Sequence, residues 1–206
     1  MANYKLIYFN GKGRAELSRF VFVQADIKYE DQRINRTEEW AKWLEFKPKT
    51  PFGTLPVLVE DGKELGGSTT IARYLAEKFG LAGANAFENA EIASIVDTIN
   101  DVNQEMAKAH FEKDEGRKKE LVEKLHELIP AKLTLLEKRA ASNDNGWLFG
   151  NKLTWADFAF YLSADWVLMG NKDALEKFPG LKKLRASVET LPKIAKWIEE
   201  RPKTDI

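Results

Sequence analysis

The sequence predicts two domains, an α/β half whose elements run βαβ-ββα and a second half that is helical throughout. Three observations carry that reading. Short runs rich in β-branched and aromatic residues are confined to the first 65 positions, an Asp61-Gly62 pair joins two of them, and from about residue 87 onward apolar residues recur only at helical spacing. A chain of 206 residues exceeds the usual single-domain size of about 100 to 150, which fits two compact halves.

Tyr4-Lys5-Leu6-Ile7-Tyr8-Phe9 reads as the first strand, ended by Asn10-Gly11-Lys12-Gly13, so a loop follows directly after Tyr8. Between Arg14 and Ala25, Leu17, Phe20, Val21 and Val23 recur at helical spacing, and 29–34 is a second short strand. Pro56-Val57-Leu58-Val59-Glu60 and Lys63-Glu64-Leu65 flank Asp61-Gly62, a dipeptide that supplies the positive φ angles of a two-residue hairpin turn. Ser68 precedes a helical run to Phe79, which stops at Gly80. A boundary is expected at 80–87, giving domains at 1–80 and 83–206. In the second, Ile92, Ile95, Ile99, Val102 and Met106 form one apolar stripe, with Asp97, Asn100, Asp101 and Gln104 on an adjoining polar face. Leu121, Leu125, Leu128, Leu135 and Leu136 mark another long helix, in which Pro130 is expected to produce a kink. Thr154-Trp155-Ala156-Asp157 reads as a capping box with Asp in place of Glu, and further helices are expected at 159–168, 180–190 and 192–200.

Lys plus Arg and Asp plus Glu balance at 32 each, so no global field favours nucleic acid or an anionic membrane. With no Cys, the chain has no disulfide, thiolate metal site or cysteine nucleophile, and any thiol in its chemistry arrives with a ligand. Met1-Ala2-Asn3-Tyr4 shows no basic segment before an apolar run, and no stretch approaches the ~20 apolar residues of a membrane span, so a cytoplasmic location is expected.

Several segments in order carry a resemblance over almost the whole chain: 4–9 followed by Gly13-Arg14-Ala15-Glu16, then Pro51-Phe52-Gly53-Thr54-Leu55-Pro56-Val57-Leu58, then Ser68-Thr69-Thr70-Ile71-Ala72-Arg73-Tyr74-Leu75, then Leu153-Thr154-Trp155-Ala156-Asp157-Phe158 and the ending Arg201-Pro202-Lys203-Thr204-Asp205. The chain is similar to sigma-class glutathione transferases. The resemblance implies a thioredoxin-like first domain that binds glutathione, an all-α second domain that builds the pocket for a hydrophobic electrophile, and a homodimer.

The resemblance also implies roles for particular residues. Tyr8 would donate its phenolic hydrogen bond to the glutathione sulfur; a free thiol titrates near pH ~8.5, so a donated bond that stabilises the thiolate enlarges the nucleophilic fraction. Arg14 would keep the cleft positive. Phe9 would border the same groove. Leu55 before Pro56 resembles the cis-proline corner of this fold, where the Leu55 backbone would pair with the cysteinyl unit as an added strand does, with Gly53 and Thr54 alongside. Trp43 and Lys47, four residues apart on a helical turn, would meet the glycyl carboxylate; Trp40 is the rival indole, but the spacing of Trp43 from Lys47 and 51–53 matches the family pattern. Ser68, at a helix N-terminus, would hold the γ-glutamyl carboxylate. Gly67 stands where the family typically has Gln, so one side-chain amide is missing. Asp101 matches the family acid that reaches across the dimer to the γ-glutamyl ammonium.

Related prostaglandin D synthases bind magnesium at an aspartate cluster near here, but Asn100 interrupts it in this chain and no metal is expected. His110 and His126 lack ligand partners at metal spacing. Two other readings stand beside the transferase: a non-catalytic protein resembling cephalopod lens crystallins, which Gly67 favours, and a prostaglandin isomerase, against which stand Asn103, Lys108 and Ala159 in place of bulkier side chains.

Overall fold

The computed structural model describes residues 2–143 and 145–204. It divides into two compact units, Met1–Leu81 together with Leu191–Ile206, and Ala82–Thr190.

The first unit is built on a sheet in which β1 (Tyr4–Phe9) pairs parallel with β2 (Glu30–Ile34) and antiparallel with β3 (Val57–Glu60), and β3 pairs antiparallel with β4 (Lys63–Gly66), giving the order β2-β1-β3-β4. The turn between β3 and β4 has φ of 47° at Asp61 and 82° at Gly62, the left-handed pair that a two-residue hairpin needs. A 3-10 turn at Gly13–Ala15 leads into α1 (Glu16–Ala25), whose Phe20, Val21 and Phe22 are buried. The helix α2 (Trp40–Phe46) carries Trp43 and Phe46 into a core with Ile7, Ile34, Leu55 and Val57, while strand alternation sends the buried Leu6 and Leu58 to the other face. α3 (Ser68–Lys78) packs on α1, β3 and β4.

In the second unit α4 (Ala86–Phe111), α5 (Glu115–Ser142), α6 (Trp155–Gly170) and α7 (Pro179–Glu189) pack as neighbours, with Val102, Met106, Leu125 and Val167 in a shared core. Pro130 lies inside α5, which continues on both sides of it. The capping box at α6 is formed, Asp157 accepting from the Thr154 N–H at 2.7 Å. The last helix, α8 (Pro192–Glu200), falls in sequence within the expected helical half at 83–206, but it buries Ile194 and packs on α1, within the first unit. Its amphipathic pattern reports that one face is covered but not by which element. Among the described residues no helix is long and apolar enough to cross a membrane.

Candidate active site

The strand register aligns Ile7 with Val57 and Val57 with Gly66, so one row crosses three strands. Because β1 and β4 run the same way and β3 the opposite way, Tyr8, Leu55 and Gly67 all lie just beyond that row, at one end of the sheet. The ladder between β1 and β3 stops at Ile7 and Val57, leaving Leu55 past its last rung, and the Leu55-Pro56 bond is cis.

Tyr8 is half-buried, and its hydroxyl oxygen accepts the Arg14 backbone N–H at 3.1 Å. Among the described residues no acceptor takes the phenol proton, so the hydroxyl keeps a donor to offer. This arrangement requires glycine at position 13, where φ is 39° and a Cβ would fall 2.6 Å from the Tyr8 oxygen. The Arg14 side chain itself is exposed.

Phe9 packs edge-on against Trp43, with ring centroids 5.5 Å apart, and the Arg36 guanidinium carbon lies over the Phe9 ring, 4.4 Å from its centre. Trp43 is 6% exposed and Trp40 48%, so Trp43 is fixed by core packing while Trp40 faces solvent. The Lys47 stem passes close to Gly53, which has φ of 64°, and the Lys47 carbonyl accepts the Thr50 hydroxyl at 2.8 Å. Thr54 is exposed and Pro56 buried. Gly67, with φ of 92°, is the N-cap of α3 and makes no side-chain cap hydrogen bond, and Ser68 is the helix's first residue, at the positive end of the helix dipole.

The chain matches the glutathione S-transferase N-terminal domain over residues 16–84 and the glutathione S-transferase C-terminal domain over residues 100–201. It is 43% identical to the hematopoietic prostaglandin D synthase of Gallus gallus, covering 100% of both chains. The chain belongs to the glutathione S-transferase family. It is also 41% identical to glutathione S-transferase 1 of Ascaris suum, over 99% of each, and superposes with TM-score 0.89 on a monomeric glutathione S-transferase from the hookworm Necator americanus, at 35% identity over 99% of this chain and 100% of that one.

In the second unit of this glutathione S-transferase, Asp101 is exposed on α4 and paired with Lys132 of α5 at 2.8 Å. Ser163 donates to Asn103 at 2.7 Å, tying α6 to α4, while Lys108 pairs with Glu105 and Ala159 is buried. Asp97, His110 and His126 are exposed.

Sequence reasoning missed a buried ionic cluster beside Tyr8. Arg19, 0% exposed, donates to the carbonyls of Gly11 at 2.7 Å and Lys12 at 3.3 Å, to Glu16 at 2.9 Å and to Asp31 at 3.1 Å. Burial works against its charge, but Asp31 and Glu16 outweigh it and hold the guanidinium above its ordinary value. Arg33 shares Asp31 at 2.8 Å, and Trp197 and Arg201 share the other Glu16 oxygen at 2.8 and 2.9 Å. A signal was present: Glu16 and Arg19, three apart, interrupt the stripe that continues through Phe20 and Val23.

Proposed function

We propose that the protein conjugates glutathione to electrophilic small molecules, with Tyr8 donating its hydroxyl hydrogen bond to the sulfur. What carries the reading is the Tyr8 hydroxyl, which accepts the Arg14 N–H and retains its own proton at the end of the first strand. That donor stabilises the thiolate against the neutral thiol and holds it for attack; the sulfur forms a bond to the electrophilic carbon, and the leaving group departs with the electrons of its bond. Leu55 pairs its backbone with the cysteinyl unit, between Gly53, Thr54 and Pro56. Trp43 and Lys47 take the glycyl carboxylate, and Phe9 walls the groove. The N-terminus of α3 at Gly67 and Ser68 receives the γ-glutamyl carboxylate, and Arg14 adds positive potential.

The proposal extends to a two-fold homodimer in which Asp101 meets the γ-glutamyl ammonium bound by the partner subunit, an arrangement in which Lys132 gives up its ion pair. It also places the enzyme in the cytoplasm, where reduced glutathione is kept. A second reading, isomerisation of a prostaglandin by the same thiolate, is favoured by the identity to the Gallus gallus synthase. The test is Tyr8→Phe assayed with a chlorinated dinitrobenzene: turnover is expected to fall about a hundredfold, as for loss of one oriented donor, with glutathione affinity largely kept. Unchanged turnover removes Tyr8 from the mechanism.

A further inference from the structure

Tyr8 does not position itself. Its oxygen is met by a backbone N–H from a loop, residues 10–14, that contains two glycines and would wander if nothing held it. The loop's own backbone bonds hold its edges: Asn10 N–H donates to the Ile34 carbonyl at 2.9 Å and Glu16 N–H to the Lys12 carbonyl at 3.1 Å. Its centre is held by a side chain, since the guanidinium of Arg19 takes the carbonyls of Gly11 and Lys12 together. We propose that Arg19 is a positioning residue for the thiol chemistry: it grips the loop so that the Arg14 N–H stays on the Tyr8 oxygen, and α8, acting through Glu16, keeps Arg19 in place. The inference rests on the reading of Tyr8 as thiol activator.

Two features single out this cluster from an ordinary buried ion pair. One is its bridging position. Glu16 gives one oxygen to Arg19 and the other to Trp197 and Arg201, so the contact runs without a gap from α8 and the residue after it to the loop beside Tyr8. The other is its charge. Among the described residues the guanidiniums of Arg19, Arg33 and Arg201 pair with two carboxylates, those of Glu16 and Asp31, an excess of one positive charge, and the Arg19 guanidinium carbon lies 6.0 Å from the centre of the Tyr8 ring. A cation there favours electron density on the phenol oxygen and on whatever anion that oxygen is bonded to.

The bound thiol reports the effect directly, through the pH titration of thiolate absorbance in the glutathione complex. Arg19→Lys keeps the charge but has one nitrogen where arginine uses two, Nη1 on the Gly11 and Lys12 carbonyls and Glu16 and Nε on Asp31, so it cannot hold the loop and Asp31 together. It is expected to raise the titration midpoint by about one unit and to cut turnover at neutral pH about tenfold, with little change in KM for glutathione. Arg201→Gln removes only the outer support, leaves Trp197 on Glu16, and is expected to give a smaller upward shift; it decides the question if Arg19→Lys does not fold. Both substitutions are also made on Tyr8→Phe, where they are expected to add no further shift, because the group they position has gone. Folded variants that titrate like the parent while Tyr8→Phe shifts would overturn the proposal and leave the Tyr8 reading intact. Shifts that persist in full on Tyr8→Phe would overturn it as well, placing the effect on the sulfur by another route. A Tyr8→Phe protein that itself shows no shift would instead sink the Tyr8 reading on which the proposal rests.

Discussion

In the first unit Glu16, 1% exposed, divides its oxygens among Arg19, Arg201 and Trp197, whereas in the second Asp157, equally buried, accepts only from uncharged donors: the N–H of Leu148 at 2.9 Å, and the N–H and hydroxyl of Thr154 at 2.7 and 3.1 Å. Both carboxylates organise the start of a helix. The first is neutralised by guanidiniums that also hold a loop beside Tyr8. The second closes a helix N-terminus with dipoles alone, and burial pushes its pKa up to about 6 even though each of its hydrogen bonds works in the other direction. Charge is met by charge in the first unit, where the same guanidinium also holds the loop beside Tyr8, and by dipoles alone at Asp157.

The strongest way to break the comparison is Glu16→Ala, which leaves Arg19 with one carboxylate and strips Trp197 and Arg201 of their acceptor. Removing one partner from a buried pair costs about 3–5 kcal/mol, and for a protein of this size each kcal/mol lowers Tm by roughly 2–4 °C. A thermal melt is expected to show a fall of about 10 °C; a loss under about 1 kcal/mol would show that the cluster adds little to the fold.

The second test concerns Asp157. Its folded-state pKa of about 6 lies above the ordinary 3.8, so the folded protein binds a proton more readily than the unfolded chain. The stability it contributes is complete below pH 3.8 and is lost as pH rises through about 6. The loss amounts to ~3 kcal/mol, at 1.36 kcal/mol per pKa unit. Urea denaturation of the parent and of Asp157→Asn at a series of pH values checks this. The parent is expected to lose stability relative to the variant across that window, and parallel profiles would count against it.

The smallest expected effect sharpens the comparison at the N-terminal end of α3. Gly67→Gln supplies a side-chain amide at a position with φ of 92°, where a Cβ lies 3.3 Å from the Thr70 hydroxyl. A positive φ with ψ of 113° is sparsely populated by any residue with a side chain and costs about 1–3 kcal/mol, so Tm is expected to fall by several degrees. Glutathione binding is expected to tighten by at most ~1 to 2 decades, the worth of one hydrogen bond to a charged group. Calorimetry on the folded variant checks this, and equal or weaker binding would show that the site is completed without the amide.

Much of the architecture was legible because it is local. The aromatic and β-branched run 4–9 with the turn residues after it places β1, Asp61-Gly62 places the hairpin, and Thr154 with Asp157 places the start of α6. The candidate site was legible to the same extent: Tyr8, Leu55 and Ser68 could be assigned to the ends of elements because each lies next to a turn or breaker in the sequence. Ser68 as a cap was less so, since the N-cap is Gly67, a choice set by its positive φ. For Trp43 the spacing to Lys47 gave no account of depth; its burial against Phe9 and Leu55 comes from residues far along the chain.

The order of strands and helices, the hairpin turn and the capping box are written in the sequence, since periodicity and turn chemistry are properties of neighbouring residues, and the family is written in the segments that resemble it. Only the tertiary structure decided which charges are buried together. Trp197 and Arg201 meet Glu16 across 181 and 185 positions, and Lys132 meets Asp101 across 31. A helix carrying Glu16 and Arg19 looks from its sequence like one with a solvated ion pair. It becomes a buried cluster beside Tyr8 because α8 docks on α1 and takes the water from both charges, and that docking depends on the shape of surfaces that no local pattern describes.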